Sequence, residues 1–409
     1  MIRSVDVLVV GAGPAGLAAA ARLAAADAGR VEVLERDEEA GGVPRFCAHG
    51  GFGVGEWGRT TDGAAFARRS VAAAVRAGAT IRTGVSVTGW AGPSALEVTA
   101  PTGLERITAR AVVLATGARE RPRSARLVPG TRPAGILTTG ELQRSVVRYG
   151  VRGDRLGRRA VVIGAEPVAH HAVRTLRGAG VDVVAMVTDG VRGPRRLAAA
   201  SGTAPPPLLT GTTVTELLGR GRLTGIGVLD RGGRRGTIRC DTAVFTGDWI
   251  PEHELARAGG VALDAGTRGP AVDAFLRTGT AGVFAAGDVL RGVESAATAA
   301  AEGRAAAESV LRRLAGEPWP PAGAPVVAER PLRWTLPNRI ADGVPTGPVL
   351  VRADAPLTSP VVKVVQDGRL LHRAVVPGTV WPFRSVRLPS AWTADVDPAG
   401  GPVVVSLDA

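Results

Sequence analysis

Val5-Asp6-Val7-Leu8-Val9-Val10 runs directly into Gly11-Ala12-Gly13-Pro14-Ala15-Gly16 and from there into an Ala/Leu-rich stretch. The first segment has the β-branched, apolar character of a buried parallel strand. The glycines supply a tight turn free of side chains, and the stretch after them reads as a helix. A dinucleotide pyrophosphate needs this arrangement: outward-pointing N–H donors, the positive end of a helix dipole and no Cβ in the way. Val31-Glu32-Val33-Leu34 then reads as the second strand, and Glu35 stands at its end, 24 positions after Gly11, where a carboxylate accepts ribose hydroxyls. Strand, turn, helix, strand and acid follow in the order of a nucleotide-binding βαβ unit.

At 409 residues the chain implies two or three domains, and an apolar share of 45% marks it as globular. The net charge of +13 invites a nucleic-acid reading. Lys363 is the only lysine, however, the arginines are scattered along the chain singly or in pairs, and aromatics are 4% of the residues, so a basic binding stripe with interleaved aromatics is absent and nucleic acid is not expected. Arg3 followed by an apolar stretch to Ala26 resembles a secretory signal, but the glycine turn lies inside it and would be lost on cleavage. With no apolar run long enough to span a bilayer, the expected location is the cytoplasm. Cys47 and Cys240 are the only cysteines, so neither a vicinal redox disulfide nor an internal iron–sulfur or zinc cluster is built from this chain alone.

Further along, Glu38-Glu39-Ala40-Gly41-Gly42 and then Val43-Pro44-Arg45-Phe46-Cys47-Ala48-His49-Gly50-Gly51-Phe52-Gly53 form an aperiodic loop expected to lie along the cofactor. A helix over about 63–77 and short strands over 80–82, 85–90 and 96–99 precede Ala111–Thr116-Gly117, which returns to the first sheet. Val161-Val162-Ile163-Gly164-Ala165-Glu166-Pro167-Val168-Ala169 repeats the opening plan in damaged form. Glu166 replaces the second glycine and Ala169 the third, and a carboxylate there repels a pyrophosphate. Residues 192–207 read as a linker, and strands over 213–218, 223–229, 237–241 and 244–248 complete this second unit. Val283-Phe284-Ala285-Ala286-Gly287-Asp288 then brings an acid to the entrance of a helix over about 294–314. Asp288 is suited to a sugar-like hydroxyl chain or, alternatively, to capping that helix. Beyond Gly316, Trp and Pro become frequent and short alternating runs indicate β structure.

These motifs together resemble the two-dinucleotide-domain flavoproteins of the pyridine nucleotide-disulfide reductase type, over residues 1 to about 315. The resemblance implies an α/β fold of two Rossmann-like domains, three-layer ββα in style, plus a small β-rich C-terminal domain. An FAD-binding domain would take 1–125 and 278–316, a degenerate NAD(P)-like domain 126–277, and the β-rich domain 317–409. It further implies FAD held by Gly11, Gly13, Pro14, Ala15 and Gly16 at the pyrophosphate and by Glu35 and Arg36 at the ribose. Val87 would lie near the adenine, Asp288 at the ribityl chain, with Gly42, Arg45, Ala115, Thr116, Gly117, Gly287 and Ala296 completing the set. Pro44–His49 with Phe52-Gly53, and Ala118–Pro122, are similar to the FAD subunits of hydrogen cyanide synthase, opine oxidase and dye-linked proline dehydrogenase, with sarcosine oxidase more distant.

That likeness implies an amine, amino acid or related small molecule as substrate, a partner redox subunit or homo-oligomer, and hydride transfer to flavin. Cys47 and His49 are the catalytic candidates. His49 would be a base, or would hold its loop by hydrogen bonds; Cys47 would be a lone thiolate, or a small buried residue. Arg45, Arg119 and Arg121 read either as a carboxylate site or as solvated loop residues. His170, His171 and His253 lack metal-ligand spacing and read as surface or domain-contact residues. Two other functions compete: an NAD(P)H-dependent flavin reductase, against which the broken second turn argues, and a non-catalytic flavin-binding assembly subunit.

Overall fold

The computed structural model describes residues 2–54, 58–191, 193, 204–292, 294–341 and 347–408. Most of the linker expected at 192–207 lies outside them. Two compact units result: one of 1–45, 51–118 and 251–409, the other of 46–50 and 119–250.

In the first unit Ile2–Val10 is the centre of a parallel sheet. Val31–Leu34 lies on one side of it with Thr80–Arg82 beyond, and Gly103–Leu114 lies on the other with Val283–Ala285 beyond. Val7, Leu8 and Val9 are fully buried, the burial on both faces that their unbroken apolar run requires. The long strand Gly103–Leu114 does two jobs. Along one edge Arg106–Leu114 pairs in parallel with the opening strand; along the other, Gly103–Thr108 pairs antiparallel with Ala95–Ala100, which in turn pairs with Ser86–Gly92, and Val112–Leu114 pairs in parallel with Val283–Ala285.

The helix Pro14–Ala25 packs against the long helix Ala296–Leu314 through small residues. A Cβ on Gly303 would collide with the Ala15 carbonyl, so the two backbones touch where only glycine fits.

The second unit repeats the plan. Arg159–Ile163 is flanked by Asp182–Val187 with Leu208–Leu209 beyond, and by Thr242–Phe245 with Ile136–Thr138 beyond, all parallel. An antiparallel meander of Thr212–Leu218, Gly225–Asp230 and Arg235–Ile238 accompanies it. The β-rich region contains the five-stranded order Arg339–Ile340, Ala324–Ala328, Val403–Leu407, Val361–Gln366 and Arg369–Val375. A three-stranded sheet of Leu332–Leu336, Val349–Ala353 and Val386–Leu388 lies beside it. It has its own apolar core around Val364, Trp392 and Val403, while Trp334 and Leu336 join the core of the first parallel sheet. Residues 251–277 and 317–409 therefore group with the first unit rather than standing apart.

Candidate functional site

The opening turn is shaped by contacts that exclude side chains. Gly11 has φ +103° and a Cβ there would strike the Ala115 carbonyl; one on Gly16 would strike the Gly11 carbonyl. Gly42, at φ +63°, lies so close over Gly13 that a Cβ would be 2.8 Å from its Cα, and Gly41 N–H donates to Ala12 O at 2.8 Å. Gly13 itself differs: it precedes Pro14 as helix N-cap, no side chain caps the helix, and a Cβ on it would meet nothing within 4 Å. Gly117, at φ +80°, opens on space in the same way. Uncapped helix N–H groups beside an open glycine make a cradle that fits a pyrophosphate.

Glu35 is buried at 9% exposure and turned toward the turn. Its Oε2 accepts from Ala12 N–H at 2.9 Å and its Oε1 from Asp37 N–H at 2.9 Å. Each oxygen keeps a lone pair for a ribose hydroxyl. Arg36 is largely exposed, 3.6 Å from Glu252. Arg45 is drawn into ion pairs with Asp37 at 3.3 Å and Glu39 at 3.4 Å, and packs over Gly41. Val87 is half-buried on Ser86–Gly92. Ala115 N–H donates to Val10 O at 2.8 Å and Thr116 Oγ1 to Glu252 O at 2.7 Å, which ties the strand end to the segment after 250.

Asp288 follows Gly287, whose φ of +79° turns the chain toward Ala15. Desolvation pushes the Asp288 carboxyl up to about 7, aided by Glu302 and Glu294 and opposed by the Glu294 N–H, 3.0 Å from Oδ1, and by Arg291. Ser295 caps the long helix through Thr298 N–H at 3.1 Å, so this cap is not supplied by Asp288, and Ala296 opens the helix beside it. Arg291, Glu294 and Glu302, none of them marked by the sequence motifs, surround this acid. Arg291 is fully buried, with Nη2 2.5 Å from Glu302 Oε1, while Glu302 Oε2 accepts from Gly287 N–H at 3.1 Å. Only the glycine inside an Ala-rich helix, Gly303, marks this neighbourhood in the sequence.

In the second unit the equivalent turn is filled from within. Gly164 has φ +141°, and a Cβ there would meet Thr246 Oγ1 and Glu166 Oε2. The Glu166 carboxyl lies over Gly247, the counterpart of Gly117, and accepts from Ala165 N–H at 3.1 Å. Desolvation raises its pKa. Glu120 is buried nearby with its pKa also raised, chiefly by desolvation, and accepts from Gly140 N–H at 2.6 Å.

Cys47 and His49 both fall in this unit. Cys47 is 7% exposed, its Sγ 3.9 Å from Gln143 Oε1, and burial pushes the thiol up to about 12. At neutral pH it is a packed thiol rather than a thiolate. The His49 ring stacks on His171 with centroids 3.6 Å apart, and its Nδ1 lies 2.9 Å from Gly50 O. Burial lowers the pKa of both rings, that of His171 to about 4. His170 is buried rather than at the surface, because it lies on the inward face of Pro167–Gly178. His253 belongs to the first unit, its Nδ1 2.5 Å from Arg268 O. Arg121 is paired with Asp248 at 3.0 Å. Among the described residues no cluster suited to a metal is present.

Two parallel-sheet units of this topology, one with an open pyrophosphate cradle and an acid at the far helix entrance, define a dinucleotide-binding redox protein. The family model described as pyridine nucleotide-disulphide oxidoreductase matches residues 5–303, and the chain belongs to that family. It is an FAD-dependent oxidoreductase. The alpha chain of the sarcosine oxidase of Rhizobium meliloti (strain 1021) is 30% identical over 357 residues, 81% of this chain and 33% of the relative. One of the named subunits of the opine oxidase of Agrobacterium tumefaciens (strain Ach5) is 33% identical over 184 residues, 43% of this chain and 35% of the relative. The chain thus spans about a third of the length of these curated relatives. In fold it is similar to the thioredoxin reductase of T. acidophilum, with TM-score 0.63 and 24% identity over 76% of this chain and 99% of that one. The L-proline dehydrogenase of P. horikoshii follows, with TM-score 0.60 and 20% identity over 78% and 58%. Among the described residues no helix is long and apolar enough to cross a membrane.

Proposed function

We propose that the protein oxidises a secondary amine carrying a carboxylate, passing hydride to FAD in the first unit, as one subunit of a larger assembly. The observation that carries this reading is the contrast between the open turn at Gly13 and the turn occupied by Glu166. One dinucleotide site is available, and the second unit sets a carboxylate where an NAD(P)H pyrophosphate would run. Reducing equivalents then come from the substrate rather than from a nicotinamide. The two curated relatives are an oxidase of sarcosine and an oxidase of opines, both secondary amino acids, and both are named as subunits.

In this reading Gly11, Gly13, Pro14, Ala15 and Gly16 hold the pyrophosphate. Glu35 and Arg36 hold the ribose, Val87 lies by the adenine, and Gly42, Arg45, Ala115, Thr116 and Gly117 line the path. Gly287, Asp288 and Ala296 meet the ribityl and ring end. The bound flavin supplies the two-electron chemistry. The chain's own residues bind it, orient it and keep it dry. Both cysteines are free and buried with thiols held near 12, which disfavours the thiolate that disulfide exchange requires. Of the two catalytic candidates in the 46–50 loop, His49, its pKa lowered by burial, is suited to accept a proton, and Cys47, held as a thiol, is not.

The test is dye-linked turnover by the protein purified with the subunits that accompany it, over a panel of N-alkyl amino acids, primary amino acids and simple amines. N-alkyl amino acids are expected to give the highest kcat/KM. Turnover confined to amines without a carboxylate contradicts the proposal.

A further inference from the structure

The β-rich region after residue 316 reaches back to the neighbourhood of Asp288. Arg352, on Val349–Ala353, sits directly across the antiparallel ladder from Trp334 and is 6% exposed. Its Nη2 donates to Glu294 Oε1 at 2.6 Å and to Ser385 Oγ at 3.0 Å, and its Nη1 to Gly292 O at 3.3 Å. The Ser385 hydroxyl also donates to Glu294 Oε1. The backbone N–H of Glu294 in turn donates to Asp288 Oδ1 at 3.0 Å. The indole of Trp334 lies beside both cations, 5.0 Å from the Arg352 guanidinium and 5.7 Å from that of Arg291. Arg291 Nη1, fully buried, has no hydrogen-bond partner among the described residues.

A carboxylate gripped from outside its own loop is a way of fixing a backbone. Asp288 is the acid expected to meet the flavin's sugar chain, and Gly292 and Glu294, shortly after it, are held by side chains of the β-rich region. We propose that this region is a working part of the flavin site, with Arg352 and Ser385 anchoring Glu294 so that its N–H holds Asp288 in place to receive the ribityl chain. The proposal rests on the reading of Asp288 as a flavin ligand. Arg352 is thus a positioning residue, acting through Glu294 rather than on the cofactor. Its removal leaves three carboxylates, Asp288, Glu294 and Glu302, around Arg291 alone. The repulsion falls on the acid that must accept the hydroxyls.

The experiment is titration of FAD into the flavin-free full chain, followed by quenching of flavin fluorescence, with thermal unfolding measured on the same samples. Arg352→Met is expected to weaken FAD binding by about tenfold or more, the loss of a charge-assisted hydrogen bond at a buried carboxylate. Ser385→Ala acts in the same direction by less, and Arg352→Lys recovers part of the loss. Glu294→Gln added to Arg352→Met also recovers part of the FAD affinity, because the uncompensated charge is gone; a role in folding alone restores the unfolding temperature and leaves the FAD affinity of the folded protein unmoved. Val364→Ala, in the core of the β-rich region and away from Glu294, lowers the unfolding temperature without weakening FAD binding to the folded protein. Wild-type affinity in Arg352→Met, or a loss in Val364→Ala equal to that in Arg352→Met, overturns the proposal. Failure of the wild type to bind FAD, or wild-type affinity in Asp288→Ala, instead overturns the reading of Asp288 on which it rests.

Discussion

At Gly13 the first unit leaves room beside a helix N-terminus; at Glu166 the second unit fills the same position with its own carboxylate. The strands, their parallel order and the helix after the turn are otherwise alike. Two replacements, Glu166 at the second glycine position and Ala169 at the third, separate the two turns, and in the function proposed above the first of them keeps a phosphate out. The fold sets where a dinucleotide would lie, and in the proposed reading the residue at the second glycine position decides whether it does.

The most severe way to break this comparison is to write the second unit's feature into the first. Gly13→Asp places a carboxylate in the open space of the cradle, at a position with φ −81° that any residue adopts. FAD binding is expected to fall by at least about 100-fold, since a like charge facing the pyrophosphate costs about 3 kcal/mol or more. The flavin-free protein is expected to melt at or slightly above the wild-type temperature, because aspartate is a good N-cap. Flavin content and melting of the apoprotein check the two halves separately. The converse change, Glu166→Gly, sharpens the comparison. Isothermal calorimetry with NADPH is expected to show no binding to the wild type and measurable binding to Glu166→Gly, while stability moves by no more than about 1 kcal/mol.

Smaller effects distinguish the units by their response to acid. In the second unit burial, together with His49, Arg174 and His170, depresses His171 to about 4. The folded state then binds fewer protons than the unfolded chain. Stability present above pH 6.5 is lost as the pH falls toward 4, on the order of 1–2 kcal/mol, and His171→Phe removes that slope while keeping the stacked ring. In the first unit Glu105 is held near 2, first by the Arg82 hydrogen bonds and then by Arg3, in a ring that also includes Glu32. Its contribution is present above about pH 4.5 and disappears only between there and 2. Urea unfolding of the flavin-free protein across this range should therefore show His171-dependent loss first and Glu105-dependent loss later.

The parts of this architecture visible in the sequence are those written in consecutive residues. The β-branched run, the glycine turn and Glu35 lie within one βαβ unit, and the damaged repeat at Gly164–Ala169 is equally plain because it uses the same local chemistry. Asp288 stands out through its glycine. Its surroundings do not: Arg291, Glu302 and Arg352 meet only after the long helix folds back and the strands of the β-rich region pair, and no spacing along the chain announces such contacts. The 46–50 loop shows the same limit. Its composition announces a loop of consequence, but only the fold shows Cys47 against Gln143 and His49 against His171. Spacing alone makes His170 and His171 surface or domain-contact residues, whereas the inward face of Pro167–Gly178 buries His170.

Between the two turns, the central claim is that electrons reach the flavin from an amino-acid substrate and not through the second unit. Anaerobic mixing of the FAD-loaded protein with either an N-alkyl amino acid or NADPH, with the flavin absorbance followed in time, tests it most directly. The amino acid is expected to bleach the oxidised flavin band and NADPH to leave it unchanged. Rapid bleaching by NADPH, with none by the amino acid, would contradict the claim.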